Sequence, residues 1–237
     1  MTYSELARKY PQLKQLFDAS SLTVFAVQTD ETDLIDEMFS RLNEAVPLNA
    51  AEKRNAFGGP LPKIVKDIAA VPFFKKNLKI SNKRYQHRDL AAKMLYLTYS
   101  RKVVDTKKVY LDSFFKTNKT TTEAAFKTPI RSVRSILSSM HSTFTVGDKL
   151  LRSSGMVIVY YLLFEIAQRE KWTHSPTRTS LVSFEARRQA NREKAEQDIA
   201  TANYDLLEFD RLTQTPNDAY AIKFRLDLLK KYTKDKT

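Results

Sequence analysis

The scarcity of glycine restricts what this chain can fold into more than any other feature, since only 4 of its 237 residues are glycine. Tight turns between β-strands often need glycine at positive φ, so a turn-rich β-sandwich is disfavoured. From residue 60 onward, apolar residues recur at helical spacing between joints marked by proline or small polar residues. We therefore predict a mainly α protein, a multi-helix bundle with helices near 61–70, 85–100, 107–117, 120–139, 146–169, 179–202 and 217–232.

The first fifty residues depart from this pattern. Residues 3–18 are predicted to be helical with a break at Pro11, and residues 30–44 form a second amphipathic helix. Between them, the stretch SLTVFAVQT at 21–29 alternates like a β-strand. A lone strand leaves its backbone edges unpaired. We therefore expect either one or two short N-terminal β-strands in this chain, or a partner polypeptide that completes the sheet at residues 22–28.

The residue types that most catalytic and metal sites need are missing or scattered. The chain has no cysteine, and its 3 histidines, His87, His141 and His174, lie far apart in sequence. This excludes disulfides, thiol catalysis and the usual zinc-ligand spacings. No phosphate-binding glycine loop, HExxH or GxSxG motif is present. The sequence therefore predicts no catalytic residue, no metal site and no cofactor of the chain's own, with a complete enzyme of unrecognised type as an open alternative.

The longest apolar run predicts a buried helix rather than a membrane span. It covers Met156–Leu163 and is soon followed by Glu165, which leaves it well short of the roughly 20 apolar residues that a span needs. Residues 1–18 are mixed polar and amphipathic, so no secretory signal is expected. We expect a cytoplasmic protein without a membrane segment.

The positive charge is concentrated in one part of the chain. The net charge is +13, but residues 53–140 contain 20 basic and 5 acidic residues, whereas residues 1–52 contain 4 basic and 9 acidic residues. Such a region is typical of a protein that binds a polyanion, most often nucleic acid. The alternative is a solvated basic face that keeps the protein soluble. The predicted contacts to a DNA backbone are Lys75, Lys76, Lys83, Arg84, Arg88, Arg101, Lys102, Lys107 and Lys108.

One ordered stretch, FSRLNEAVPLNAAEKRNAFGG at residues 39–59, combines helix signals with unexplained polar residues. Asn49 and Glu52 have the spacing of a capping box at the start of a short helix. Gly58 and Gly59, followed by Pro60, end that helix in the usual way. The residues that capping does not explain are Arg41, Asn43, Arg54 and Asn55.

These four side chains could converge with Glu52 if the two helices of this stretch pack as a hairpin. Two guanidinium groups and two amides suit a phosphate or a nucleic-acid backbone. In that arrangement Arg41 and Arg54 would contact phosphate. Asn43 and Asn55 would hold the hairpin or the ligand. An internal network of Arg–Glu and Asn–backbone contacts that fixes the hairpin is an equally open alternative.

The same stretch resembles the F-x-R-x-N…L…E-x-R-N-A signature of the GmrSD-type, ParB-like restriction protein family. The matching residues are Phe39, Arg41, Asn43, Leu48, Glu52, Arg54, Asn55 and Ala56. The resemblance implies that residues 1–100 are the C-terminal part of a ParB-like domain and that residues 101–237 are a helical extension. Members of the family use nucleotides and attack modified phage DNA. Their catalytic D-G-Q-Q-R motif would precede the predicted strand, and neither it nor the family's His-Asn-His nuclease signature occurs in this chain.

The resemblance therefore implies the DNA-binding helical portion of a modification-dependent restriction or phage-defence protein, inactive by itself. It would position DNA for a catalytic subdomain elsewhere, and any nucleotide or divalent metal would be bound by a full-length family member. The alternative is a stand-alone interaction subunit, or a decayed remnant, that completes a ParB-like partner by strand or helix docking.

Overall fold

The computed structural model describes residues 2–21, 24, 26, 28, 29, 31, 33–35, 38, 47–172 and 176–234. It divides into two compact units, residues 1–45 and residues 46–237. Every regular element in these described ranges is a helix or a helical turn, and no β-strand is present among them. The chain is thus mainly α-helical, and the predicted multi-helix bundle is confirmed. No helix in the same ranges is long and apolar enough to cross a membrane.

The first unit begins with two short helices, α1 (Tyr3–Lys9) and α2 (Pro11–Asp18). Thr2 caps α1, because its Oγ1 accepts a hydrogen bond from the N–H of Glu5 at 3.3 Å while Glu5 Oε2 accepts one from the N–H of Thr2 at 2.8 Å. Pro11 is the first residue of α2, which confirms the predicted break. A proline has no N–H with which to continue the preceding helix. No residue of either helix is buried.

The strand predicted at 21–29 is not seen. Residues 21, 24, 26, 28 and 29 have no strand conformation, and residues 22, 23, 25 and 27 lie outside the described residues. The alternating pattern expresses only a local preference, and a strand forms where a neighbouring strand satisfies its backbone groups. Val24, which the pattern assigned to an apolar face, is 83% exposed. Of the helix predicted at 30–44, residues 33–35 and 38 are helical, residue 31 is not, and residues 30, 32, 36, 37 and 39–44 lie outside the described residues.

The described part of the second unit contains nine α-helices, and each helix predicted after residue 60 has a counterpart. The helices predicted to begin at 120 and 146 begin at Lys127 and Ser154, each after a separate helical turn. The helix predicted over 179–202 ends at Gln197, because the extended backbone of Asp198 interrupts it and its side chain accepts from the N–H of Ala200. The helices are α3 (Ala50–Asn55), α4 (Leu61–Ala69), α5 (Gln86–Ser100), α6 (Lys108–Thr117), α7 (Lys127–Thr143), α8 (Ser154–Arg169), α9 (Arg178–Gln197), α10 (Tyr204–Arg211) and α11 (Ala219–Lys234). Single helical turns lie at Phe73–Asn77, Lys83–Tyr85, Glu123–Phe126, Lys149–Leu151, Ile199–Thr201 and Leu212–Gln214.

Helix α8 is the centre of the second unit. It packs against α5, α7 and α11, and its run Met156–Leu163 is buried throughout, as predicted. Its buried tyrosines have polar partners: Tyr161 Oη lies 2.5 Å from Thr98 Oγ1, and Tyr160 Oη donates to Glu185 Oε1 at 3.2 Å. Helices α4 and α5 pack against α7 in the same core. Helices on both sides of residue 100 therefore share one hydrophobic core.

Gly59 permits a close approach of two backbone segments after α3. Its φ is +89°, and a Cβ at this position would lie 2.4 Å from the carbonyl oxygen of Lys119. Replacing Gly59 with alanine should lower the free energy of unfolding by about 2 kcal/mol, through the positive φ and the clash together; urea unfolding followed by circular dichroism measures this loss. Gly147→Ala is the matched control, with a φ of +57° and no atom within 4 Å of the added Cβ, and should lose about 1 kcal/mol. Equal losses in the two variants would contradict the role of the Lys119 contact.

Candidate functional site

The predicted pocket residues fall partly inside and partly outside the described ranges. Three of them lie outside the described residues: Phe39, Arg41 and Asn43. Leu48 lies just before α3, and α3 itself carries Glu52, Arg54 and Asn55. Convergence of Arg41 and Asn43 with the polar residues of α3 therefore stays a prediction.

The capping box predicted at the start of α3 is confirmed. Asn49 Oδ1 accepts a hydrogen bond from the N–H of Glu52 at 2.9 Å, and Glu52 Oε2 accepts one from the N–H of Asn49 at 2.8 Å. The same carboxylate binds the guanidinium of Arg84, at 3.1 Å from Nε to Oε1 and 2.8 Å from Nη2 to Oε2. The bond from Arg84, and then the bond from Asn49, lower the pKa of Glu52 because both stabilise the charged carboxylate. Glu52 is thus engaged within the protein.

Arg84 and Tyr85 form a strained turn in front of α5. Their φ values are +52° and +61°, in the left-handed region that residues other than glycine rarely adopt. Asn49 Nδ2 donates to the carbonyl oxygen of Arg84 at 3.0 Å, and Arg88 lies over the Tyr85 ring at 4.1 Å from its centroid, so side chains hold the turn in place. The turn borders a cavity of about 440 Å³ whose charged lining residues are Arg84 and Asp89. These two charges are opposite, so the cavity has no net preference for an anion.

Arg54 is buried and paired inside the protein, with 3% of its surface exposed. Its Nη1 donates to Asp112 Oδ1 at 2.9 Å, and its Nη2 donates to Asp89 Oδ1. Lys93 Nζ lies 2.8 Å from the other oxygen of Asp89. This network joins α3 to α5 and α6. The cavity beside Arg54 has a volume of about 10 Å³, which holds one water at most and no phosphate.

The nine cations predicted to contact a DNA backbone separate into two groups. Three have side-chain partners in the protein, which are Glu52 for Arg84, Asn55 for Arg88 and Asp218 for Lys107. The other six are exposed and have no acidic partner among the described residues: Lys75, Lys76, Lys83, Arg101, Lys102 and Lys108. An exposed cation without an internal partner is available to a phosphate, so the second group fits the predicted role better than the first.

An additional basic surface lies on α7, and the sequence analysis missed it. Lys127, Arg131 and Arg134 are exposed and follow the i, i+4, i+7 spacing of one helix face. We name these three residues the α7 stripe. None of them has a partner within the described ranges, and residues 127–143 include no Asp or Glu. The signal was present in the sequence as basic residues at helical spacing in a segment without acidic residues.

The C-terminal end of α7 is fixed to the turn Phe73–Asn77. Asn77 Oδ1 lies 2.6 Å from His141 Nδ1, and Asn77 Nδ2 donates to the carbonyl oxygen of Phe144 at 2.6 Å. Asn77 is 2% exposed, so these bonds lie in the interior. The turn that they anchor carries Lys75 and Lys76, which places two of the predicted cations on a segment that packs against α7.

Comparisons of the chain with protein-family models, with curated proteins and with solved structures find no match. The resemblance to the GmrSD-type, ParB-like family therefore stays a prediction that rests on the residues of 39–56 alone. Within the ranges that the structure describes, no group of three or more His, Cys, Asp or Glu side chains is placed to hold a metal ion.

Proposed function

We propose that this chain binds DNA through the sugar–phosphate backbone, with α7 as the main contact element. The observation that carries the proposal is the α7 stripe: three exposed cations on one face of a helix without acidic residues, none of them paired inside the described structure. A solvated face kept only for solubility usually mixes both signs of charge. A face of one sign matches a polyanion instead.

The dimensions of the stripe suit a phosphate backbone. A helix rises about 1.5 Å per residue, so the seven positions from Lys127 to Arg134 span about 10 Å. Each strand of B-DNA carries one phosphate per about 3.4 Å along the axis, so the three side chains can reach different phosphates. Exposed Ser138 on the same helix adds a hydroxyl group that can donate to a phosphate oxygen. Such contacts give affinity that falls steeply with salt and little preference for base sequence.

The resemblance of residues 39–56 to the GmrSD-type family supports DNA as the polyanion. Under this proposal the chain holds the DNA, and a catalytic subdomain with the D-G-Q-Q-R motif would cut it. The nucleotide and divalent metal that such cleavage uses would belong to that subdomain. Lys75 and Lys76, on the turn that packs against α7, would extend the contact surface beyond the stripe.

Reversal of two charges in the stripe tests the proposal. The double variant Arg131→Glu/Arg134→Glu should bind a fluorescently labelled DNA duplex at least about 100-fold more weakly, because two phosphate contacts become repulsive. The slope of log affinity against log salt should fall by about 2, one unit for each lost contact. Fluorescence anisotropy between about 50 and 200 mM NaCl measures both quantities.

The matched control is Lys223→Glu/Lys231→Glu, which reverses two exposed cations on α11 and changes the net charge equally. It should weaken binding only a few-fold, since long-range attraction alone is reduced. An equal loss in both variants would show that the overall charge, rather than the α7 stripe, attracts DNA. Failure of the unchanged protein to bind DNA at low salt would reject the proposal.

A further inference from the structure

A second cationic site lies beside the first turn of α8. It contains none of the residues of the α7 stripe. A cavity of about 390 Å³ opens between the turn Lys149–Leu151, the start of α8 and the middle of α9. Its lining includes four cations and, within the described residues, one carboxylate. The cations are Lys149, Arg152, Arg188 and Arg192, and the carboxylate is Glu185.

Two of these cations are held rigidly by acidic side chains. Arg188 is 7% exposed, and its Nη1 donates to both oxygens of Glu185 at 2.7 and 2.8 Å while its Nε donates to Asp210 Oδ1 at 2.8 Å. Arg192 Nη1 donates to the other oxygen of Asp210 at 2.9 Å. Two carboxylates therefore balance two arginines, and the guanidinium groups are fixed before any ligand arrives.

The other two cations leave the cavity with excess positive charge. Lys149 and Arg152 are exposed, and neither has an acidic partner in the part of the chain that the structure describes. The N-terminal end of α8 adds to this excess, because its cap residue Ser153 also lines the cavity and makes no side-chain capping bond. The first N–H groups of a helix have no partner within the helix and carry partial positive charge.

A fully buried arginine adjoins the same turn of α8. Arg225 is 0% exposed, and its acceptors among the described residues are two carbonyl oxygens, of Ala221 at 3.0 Å and of Pro216 at 3.3 Å. Its Nη1 lies 3.4 Å from the position that a Cβ on Gly155 would occupy, which places it against the second residue of α8. Burial, and then the charge of Arg188, lower the pKa of Arg225 to about 10. A buried charge without a counter-charge is unfavourable, and a bound anion nearby would offset it.

We propose that this α8–α9 cavity binds a phosphoryl group, either as a free anion such as pyrophosphate or as the terminal phosphate of a nucleic-acid strand. The two unpaired cations and the helix N–H groups are the donors that phosphate oxygens accept from, and the carboxylate-bound arginines hold the wall of the cavity in place. Its volume admits a pyrophosphate with several waters, since a water occupies about 30 Å³. The cavity shares no lining residue with the α7 stripe, so this site goes beyond the proposed backbone contact.

Titration calorimetry of the whole chain tests this site with four probes at low ionic strength. Pyrophosphate and inorganic phosphate represent the free anion, and a short oligonucleotide with a 5′-phosphate is compared with the same oligonucleotide ending in a hydroxyl. The variant Lys149→Gln/Arg152→Gln should weaken the binding of pyrophosphate, or of the 5′-phosphate, at least about tenfold, because two charge-assisted hydrogen bonds are lost. These two residues are preferred to Arg188, whose replacement would also remove the arginine partner of Glu185 and leave Asp210 with Arg192 as its one arginine partner among the described residues.

Two controls separate this site from overall charge and from the α7 stripe. Lys223→Gln/Lys231→Gln removes the same charge elsewhere and should leave pyrophosphate affinity within about twofold. The Arg131→Glu/Arg134→Glu variant should retain the phosphoryl site even where it loses duplex binding, so failure of one proposal is distinguishable from failure of the other. Absence of binding by all probes, or binding that Lys149→Gln/Arg152→Gln leaves unchanged, would overturn the inference. A preference for the 5′-phosphate over pyrophosphate would identify the strand end as the source of the phosphoryl group.

Discussion

Replacing Arg54 with alanine should lower the free energy of unfolding by about 3–5 kcal/mol. The guanidinium lies in the interior and binds Asp89 and Asp112, which come from two different helices. Removing it leaves two carboxylates close together with a single remaining counter-charge, Lys93, on Asp89. The loss of a buried partner is more costly than the loss of an exposed ion pair, because the remaining carboxylates, with side chains 30% and 20% exposed, stay partly desolvated. Urea unfolding followed by far-ultraviolet circular dichroism measures the change.

Two further variants on α3 test whether the loss of stability comes from the internal network of Arg54. Lys53→Ala is the matched control on the same short helix: Lys53 has no partner among the described residues, and its removal should change stability by less than about 0.5 kcal/mol. Arg54→Lys keeps the charge but cannot contact both carboxylates with a planar fork, so it should lose about 2 kcal/mol. An Arg54→Ala protein as stable as Lys53→Ala would contradict the internal network. A loss of DNA affinity without a loss of stability would favour the phosphate pocket instead.

The local features of the fold could be predicted from the sequence because they depend on neighbouring residues. The capping box of Asn49 and Glu52 spans three positions, and the break at Pro11 follows from the proline ring itself. The buried character of α8 follows from its continuous apolar run. By contrast, the strand at 21–29 was predicted from an equally local alternation, and no strand conformation is seen at the residues of this stretch that the structure describes. A strand depends on a partner that alternation cannot supply.

The contacts that decide the role of each polar residue could not be predicted in the same way. Arg54 meets Asp89 and Asp112 across 35 and 58 positions of sequence, and no spacing rule connects them. The sequence therefore left the phosphate pocket and the internal network equally open. The predicted contacts included the adjacent pair Lys75 and Lys76. The α7 stripe, in which the same charges are separated by a helical repeat, was predictable from periodicity but was not recognised.

The α8–α9 cavity could not be predicted from the sequence at all. Its lining residues come from 149–156, from 185–192 and from Thr213, and only tertiary packing brings them together. Even the excess of positive charge is hidden in the sequence, since residues 141–170 contain 3 basic and 3 acidic residues. Pairing in three dimensions removes some of those acidic groups from the cavity, as Asp148 shows. Net charge along the chain is therefore a poor guide to the potential inside a particular cavity.

Asp148 organises the turn that carries Lys149. It is 1% exposed, its Oδ2 accepts from the N–H of Thr145 at 3.0 Å, and its Oδ1 accepts from the N–H of Leu150 at 3.0 Å. Arg178 Nε donates to Oδ2 at 2.7 Å. Burial opposes ionisation of this carboxyl, but the bonds from Arg178, Leu150 and Thr145 outweigh it and lower the pKa of Asp148 to about 2.

Asp148→Ala should lower the free energy of unfolding by about 3 kcal/mol at neutral pH, since the buried acceptor for three groups is lost.

The pH dependence of the free energy of unfolding gives the stronger test. A folded-state pKa near 2 lies below the ordinary value of 3.8, so the stabilisation by this carboxylate is complete above about pH 4 and disappears as the pH falls toward 2. The shift corresponds to about 2 kcal/mol that the unchanged protein loses in this window and the variant does not. Asp227→Ala, at an exposed aspartate without a described partner, is the control and should follow the unchanged protein. Identical acid dependence in all three proteins would contradict the role of Asp148. If only Asp148→Ala loses the acid dependence and also binds pyrophosphate more weakly, this carboxylate holds the turn that presents Lys149 to the cavity.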